Sequence, residues 1–165
     1  METKKILTRE NIPTDELSAT VIKSYKGMKL EYTEVFYLDD AVDEVTGLIN
    51  KAVKDKYYTK NQMDRNMKAL KNAYHIEKGS ASPEEIIFFR QRYKISASIF
   101  SMILGFSKNT ITNIETEGIT SLSTGRMIKM CLDDKRVVAK YVQLCDSIDS
   151  AKKEEISKRL LEECF

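Results

Sequence analysis

The most constraining feature of this sequence is a run of helix start and stop signals between Ser82 and Ser107. Ser82-Pro83-Glu84-Glu85 is a strong helix start. The Ser82 hydroxyl can accept from a free backbone N–H, Pro83 suits the first helical position, and Glu85 completes a capping box. This helix runs through Ile86-Ile87-Phe88-Phe89-Arg90-Gln91-Arg92-Tyr93. Ser96 or Ser98 can then cap a short helix ending at Leu104, with Gly105 as its stop. Ser107 is expected to cap a third helix, Lys108 to Glu115. Phe100, Ile103, Leu104, Ile111 and Ile114 supply a shared core, and the small Ser101 lets two helix backbones approach. A short apolar helix, a tight turn and a polar helix make a helix-turn-helix unit. The third helix would expose Lys108, Asn109, Thr110, Thr112 and Asn113, short donors and acceptors able to reach base edges in a major groove.

The flanking segments are less sharply marked. Ser121 or Ser123 starts a helix carrying Met127, Ile128, Met130, Cys131 and Leu132. Asp133-Asp134 caps another, through Val137, Val138, Tyr141, Val142, Leu144 and Cys145. A last helix spans about Ser150 to Glu163, with Ile156, Leu160 and Leu161 on one side. These helices either complete the domain or form a dimer interface. A dimer is expected because one helix reads only a few base pairs. Upstream, residues 1–19 lack periodicity and read as a loose arm. Val21-Ile22-Lys23-Ser24-Tyr25 and Met28 to Tyr37, joined by Lys26-Gly27, read as a β-hairpin with Met28, Leu30 and Tyr32 on one face. Asp39 or Asp40 could cap a helix to about Lys54, with Val42, Val45, Leu48, Ile49, Ala52 and Val53 at helical spacing. Thr59 could cap the next, Lys60 to Tyr74, whose stripe of Met63, Met67, Leu70 and Tyr74 reads as core. Gly79-Ser80 lies in the best candidate boundary, giving an N-terminal region 1–78 and a C-terminal domain 79–165. Tyr25, Tyr32, Phe36 and Tyr37 are candidates for an aromatic patch that binds a protein partner, or for the core of a small α+β unit.

Composition excludes several classes. Of the 165 residues 42% are hydrophobic and 32% charged, a globular balance. No apolar run has membrane-spanning length and no signal-peptide pattern follows Met1, so a cytoplasmic location and no membrane association are expected. Net charge is only +2, but residues 31–44 hold six acids and no base, whereas residues 51–78 hold eight bases and three acids. Such a split can serve two partners or two solvated faces. The three cysteines, Cys131, Cys145 and Cys164, are not paired in spacing, and His75 is the single histidine. Neither a disulfide framework nor a metal site is expected, and no cofactor. With no phosphate-binding glycine loop and no Cys–His pair, the chain does not read as an enzyme.

Residues 82–130 resemble the Xre/Cro-type domain. The carrying stretch is Leu104-Gly105-Phe106-Ser107-Lys108-Asn109-Thr110-Ile111-Thr112-Asn113-Ile114-Glu115. The likeness is closer to the C-terminal half of MqsA-type antitoxins, where a tyrosine-rich helix and a Ser-Pro-Glu-Glu-Ile start precede the domain, as Tyr74 and Ser82 to Ile86 do here. It is good over residues 65–135 and faint elsewhere. The expected fold is a mainly α chain with a small N-terminal β-hairpin (α+β), to which the resemblance adds a C-terminal five-helix Xre/Cro-like domain. The resemblance implies recognition of a palindromic operator in double-stranded DNA, with Asn109 and Asn113 reading bases and Ser96, Ser107, Lys108 and Thr110 near phosphates. It also implies a homodimeric antitoxin that represses its own operon and binds a cognate toxin. The alternative is a protein-binding inhibitor whose helix-turn-helix serves mainly for dimerisation.

Three departures stand out. Ala97 occupies a position where the family often has a phosphate-gripping glutamine. Gly118 comes one residue later than in the family pattern, after the acid Glu117. The family's N-terminal zinc ribbon has no counterpart, because residues 20–50 contain no cysteine. Either apolar packing among Val21, Leu30, Tyr32, Val35 and Phe36 replaces the metal, or the N-terminal region is unrelated.

Overall fold

A computed structural model describes residues 3–119 and 121–162; Met1, Glu2, Thr120, Glu163, Cys164 and Phe165 lie outside them. Among the described residues the chain is mixed α+β, with seven helices and two small sheets. None of these helices is long and apolar enough to cross a membrane. The chain divides into two compact units, Met1–Leu70 and Lys71–Phe165.

The first unit contains more β-structure than a single hairpin. Of the segment expected to be a loose arm, residues 3–19 are ordered into strands and a turn. Strand β1 (Lys5–Leu7) pairs antiparallel with β2 (Pro13–Asp15). Their turn is closed by Thr8, whose N–H donates to Ile12 O at 2.9 Å and whose Oγ1 accepts from Ile12 N at 3.1 Å. Strands of three residues are too short to show a period, which is why the segment looked featureless. The expected hairpin is present as β3 (Leu17–Tyr25) and β4 (Met28–Val42), with Tyr25 opposite Met28. Lys26 and Gly27 both have positive φ, 47° and 78°, the backbone that a two-residue hairpin turn requires. Alternation along β4 buries Leu30, Tyr32, Glu34 and Phe36 and exposes Lys29, Glu31 and Thr33.

The helix expected over Asp39–Lys54 does not form. β4 continues to Val42, turns, and pairs with β5 (Ile49–Tyr57), giving the sheet order β3-β4-β5. The turn belongs to Asp43. Its Oδ1 accepts from Val45 N at 2.9 Å, Thr46 N at 2.7 Å and Thr46 Oγ1 at 2.9 Å. Gly47 completes the reversal at φ 70°. These three bonds depress the Asp43 carboxyl below the usual range. The apolar residues that suggested a buried helical stripe are solvent-exposed instead, Val45 at 94% and Leu48 at 70%.

Helix α1 (Lys60–Glu77) forms as expected and Thr59 caps it, reciprocally with Gln62. Its Met stripe is not the core, since Met63 and Met67 are exposed. In this unit α1 turns Gln62, Asn66 and Leu70 inward. The polar pair is buried because each has specific partners. Asn66 accepts from Val35 N at 2.8 Å and donates to Val35 O at 2.9 Å. Gln62 donates to Glu16 at 3.2 Å, and Glu16 also accepts from both terminal guanidinium nitrogens of Arg65. The Arg65 hydrogen bonds hold the Glu16 carboxyl below its ordinary pKa, against its partial burial.

The second unit is helical. Six helices follow α1: α2 (Pro83–Tyr93), α3 (Ala97–Ile103), α4 (Thr110–Glu117), α5 (Leu122–Asp133), α6 (Lys135–Leu144) and α7 (Ser150–Leu161). Local caps set their starts. The Ser82–Glu85 capping box opens α2, Ser96 caps α3, Ser121 caps α5, Asp134 caps α6 and Asp149 caps α7. The core contains Ile86, Phe89, Phe100, Ile103, Ile111, Ile128, Val138, Val142, Ile156 and Leu160, so α6 and α7 complete one hydrophobic centre with the preceding helices. Cys131 is buried in this core, where desolvation pushes its thiol pKa up, and Cys145 is buried at the end of α6. Met130 and Leu161 face solvent.

Glu85 ties α2 to α5 by a 2.5 Å contact with Lys129. That hydrogen bond lowers the Glu85 pKa from 4.5, with burial opposing and the Ser82 N–H assisting. A carboxyl whose folded pKa is depressed stabilises the fold above its unfolded value and loses that contribution as pH falls through the folded value. Stability of the wild type should therefore drop more steeply than that of Glu85→Gln below about pH 4.5, in urea unfolding followed by circular dichroism.

Candidate nucleic-acid interface

The candidate interface is built by α3, the turn at Gly105 and α4. Ser96 Oγ accepts from Ile99 N at 3.2 Å and fixes the entry to α3. At the far end Gly105 takes φ 82°, and Phe106 N donates to Ser101 O at 2.9 Å, closing the turn. Phe100, Ile103, Leu104, Ile111 and Ile114 are buried where the two helices meet, as their spacing indicates. Ser101 does more than leave room. It is fully buried, its Oγ donates to Ala97 O at 2.9 Å, and it accepts from Ile111 N at 2.9 Å. A side chain of α3 thus satisfies one of the orphan amides at the start of α4.

The start of α4 differs from expectation. Ser107 does not cap it; the helix begins at Thr110, and Lys108 and Asn109 lie in the preceding turn. Thr110 N donates to Ser107 O at 3.0 Å, and the two hydroxyls, Ser107 Oγ and Thr110 Oγ1, are 2.8 Å apart. With Ser107 closing a turn and Ser101 serving Ile111, no cap from the Ser107 side chain is needed. Asn109 stands at the N-cap position with φ −100° and makes no side-chain cap hydrogen bond.

The exposed face is contiguous. Asn109, Thr112, Asn113 and Thr116 are all exposed and lie at helical spacing on one side of α4, with Ser107 and Lys108 at its leading end. Thr110 is half-buried. Thr116 Oγ1 donates back to Thr112 O at 3.0 Å. Ser96 is exposed at the start of α3, but its hydroxyl is engaged in capping. Ala97, the first residue of α3, has no side-chain hydrogen-bonding group.

Sequence reading did not find the restraints behind this face. Glu115 points inward and forms a bidentate pair with Arg90 of α2, at 2.6 and 2.8 Å, both side chains being largely buried. Arg90 also donates to Ile95 O at 3.1 Å, so one guanidinium joins α2, the α3 entry and α4. The acid of Glu115 is thereby withdrawn from the exposed face, leaving Lys108 and Glu117 as its exposed charges. The end of α4 is held by the C-terminal half of α1. Asn72 Oδ1 accepts from Ile119 N at 3.0 Å, and His75 Nδ1 lies 2.8 Å from Ile119 O. Gly118 has φ 89°, and a Cβ there would sit 2.7 Å from Asn72 Cγ, so only glycine fits. The late glycine in Glu115-Thr116-Glu117-Gly118 is thus accounted for by this contact. The one available signal was a glycine directly after a helix.

The aromatic residues of the first unit do not form an exposed patch. Tyr32, Phe36 and Tyr37 are buried and Tyr25 is half-buried. Lys56 Nζ lies 4.4 Å over the Phe36 ring, and Tyr37 stacks with Tyr57 at 6.0 Å. Tyr32 and Phe36 lie on the inward face of β4, whereas Tyr37, on the opposite face, is covered by Tyr57 of β5. Among the described residues there is no group of three or more metal-ligating side chains.

Comparison with known proteins gives no match to any family model and none to a curated protein.

The α3–α4 junction should be sensitive to one hydroxyl. Ser101→Ala leaves the buried Ile111 N–H without an acceptor and should cost about 1–3 kcal/mol of stability. Urea unfolding measures the loss, and amide exchange at Ile111 should accelerate more than at Ile128.

Proposed function

We propose that this chain is a sequence-specific DNA-binding transcriptional regulator with an Xre/Cro-like helix-turn-helix domain, acting as an antitoxin that represses its own operon. The observation that carries this reading is the α4 face. Asn109, Thr112, Asn113 and Thr116 are exposed together on a helix whose opposite side is locked by Ile111, Ile114 and the Arg90–Glu115 pair. Asparagine amides suit paired hydrogen bonds with adenine in a major groove. Asn109 and Asn113 are the base-reading residues, and Lys108, Ser107, Thr110 and Ser96 lie toward the phosphates. A rigid helix presenting short polar groups, with few long flexible side chains, favours base reading over loose electrostatic attraction. Two copies engage a palindromic operator.

Gel-shift titration with the DNA upstream of its own reading frame tests this. The protein should retard that duplex in preference to a scrambled one. Asn109→Ala and Asn113→Ala should each reduce the preference by about 1–3 kcal/mol, with the circular dichroism spectrum unchanged. No retardation at low salt, or a preference that survives both changes together, refutes the reading.

The first unit is the toxin-binding part of this antitoxin. Its support is the exposed apolar surface of the β4–β5 ribbon, where Val42, Val45, Leu48 and Ile49 face solvent. Co-expression with the product of the adjacent reading frame should yield a stable complex, and Val45→Asp with Leu48→Asp should weaken it without unfolding the chain.

A further inference from the structure

Helix α4 is short, and its two ends are held by different elements. Its eight residues, Thr110–Glu117, span about 12 Å. Near the start, the Ile111 amide is bonded to Ser101 of α3, and further along Glu115 is paired with Arg90 of α2. Beyond the far end the chain passes through Gly118 to Ile119, and both backbone groups of Ile119 are taken by α1. Asn72 Oδ1 accepts from Ile119 N at 3.0 Å. His75 Nδ1 lies 2.8 Å from Ile119 O. A carbonyl oxygen only accepts, so Nδ1 carries the hydrogen and donates. Asn72 and His75 are three residues apart and share one side of α1. They lie in the same compact unit as α4, Lys71–Phe165.

This grip restrains rotation as well as distance. One hydrogen bond at Ile119 would leave its backbone free to swivel. An acceptor on its N–H and a donor on its carbonyl together do not. The Ile119 side chain is buried in the core of the same unit. Gly118 runs close against Asn72, since a Cβ there would stand 2.7 Å from Asn72 Cγ. Small rotations of α4 matter for what it exposes. Side-chain tips stand about 5–6 Å from a helix axis, so a turn of about 10° carries a tip by about 1 Å. A binding constellation tolerates a displacement of only about 0.5 Å. Asn113 and Thr116, exposed about one turn apart on α4, are the residues that such a rotation would misplace.

We infer that Asn72 and His75 are positioning residues for the base-reading face: their paired hydrogen bonds to Ile119 set the rotation of α4, and with it the discrimination among DNA sequences. Neither residue lies on the helix it positions, and neither belongs to the helix-turn-helix. The inference rests on the DNA-binding reading, and its test separates the two.

Gel-shift titration of the full chain with its upstream duplex and with a scrambled one tests it, alongside amide exchange of the free protein. Asn72→Ala combined with His75→Ala should lower the preference for the upstream duplex by about tenfold or more. Affinity for the scrambled duplex, held by phosphate contacts, should change by less than about twofold. Without DNA, the same variant should exchange the Thr116 and Ile119 amides faster than wild type, with Ile128 unchanged. Asn72→Asp keeps an acceptor, and His75→Asn places an amide N–H where Nδ1 stood, so N72D/H75N should restore both the preference and the slow exchange. A preference unchanged in the alanine pair, a loss equal for both duplexes, or an N72D/H75N protein as indiscriminate as the alanine pair overturns this inference and leaves the base-reading function standing. A wild type that binds both duplexes alike overturns the function and the inference together.

Discussion

The ion pair between Arg90 and Glu115 organises the second unit. A guanidinium can address two partners at once in a fixed plane, and here it takes a carboxylate with two nitrogens and the Ile95 carbonyl with a third. Those contacts define how α2 meets α4 and where the chain leaves α2. The αL residue Lys94, at φ 52°, is the hinge that permits this exit. Because the pair is largely buried, neither group could be lost alone without stranding the other charge. The exposed polar face of α4 is a by-product of the same arrangement, since Glu115 anchors one side and leaves the other to solvent.

The first unit follows a different logic. Its two sheets are small and its apolar core modest, and polar groups with defined partners occupy buried positions. Glu34 is buried on β4 between Lys23 at 2.8 Å and Lys56 at 3.6 Å. Burial opposes its ionisation, but the hydrogen bond and charge of Lys23 win, and its pKa falls below the ordinary value. Lys23 is correspondingly pushed up, first by its hydrogen bond to Glu34. Asn66 binds β4 through both backbone groups of Val35, which fixes the height of α1 along that strand. Among the described residues no buried side-chain nitrogen or oxygen lacks a hydrogen-bond partner. Networks satisfied in this way select one register, because a slip of one residue would move Glu34 and Phe36 to the solvent face.

What was legible in the sequence is what is encoded locally. Ser82 with Glu85, Ser96, Gly105, Ser121 and Asp134 each act on backbone within four residues, so the starts of α2, α3, α5 and α6 and the turn after α3 are legible from those residues, whereas the start of α4, which depends on Ser101, is not. The β3–β4 turn was legible for the same reason. Residues 39–54 were not, because Val42, Val45, Leu48, Ile49 and Val53 fit helical spacing while belonging to a ribbon. The deciding facts are the turn built on Asp43 and the pairing of Tyr37 with Tyr57, the second of which lies outside any short window. The inward face of α1 was hidden because Gln62 and Asn66 look like surface residues until Glu16 and Val35 are known to be their partners. In the candidate interface, the exposed residues were found from polarity. The restraints on them, Arg90, Ser101 and Asn72, join elements distant in sequence, and no local pattern announces them.

The way α4 begins separates two tasks that a helix start usually combines. In many helices the residue at Asn109's position would be bound to its own backbone, and changing it would cost stability. Here the amide of Ile111 is satisfied from Ser101 instead, and the Asn109 amide caps nothing. The side chain at position 109 is therefore decoupled from the capping of α4. A change at position 109 removes no cap from α4, whereas a change at position 101 removes both the bond to Ala97 and the acceptor of the Ile111 amide.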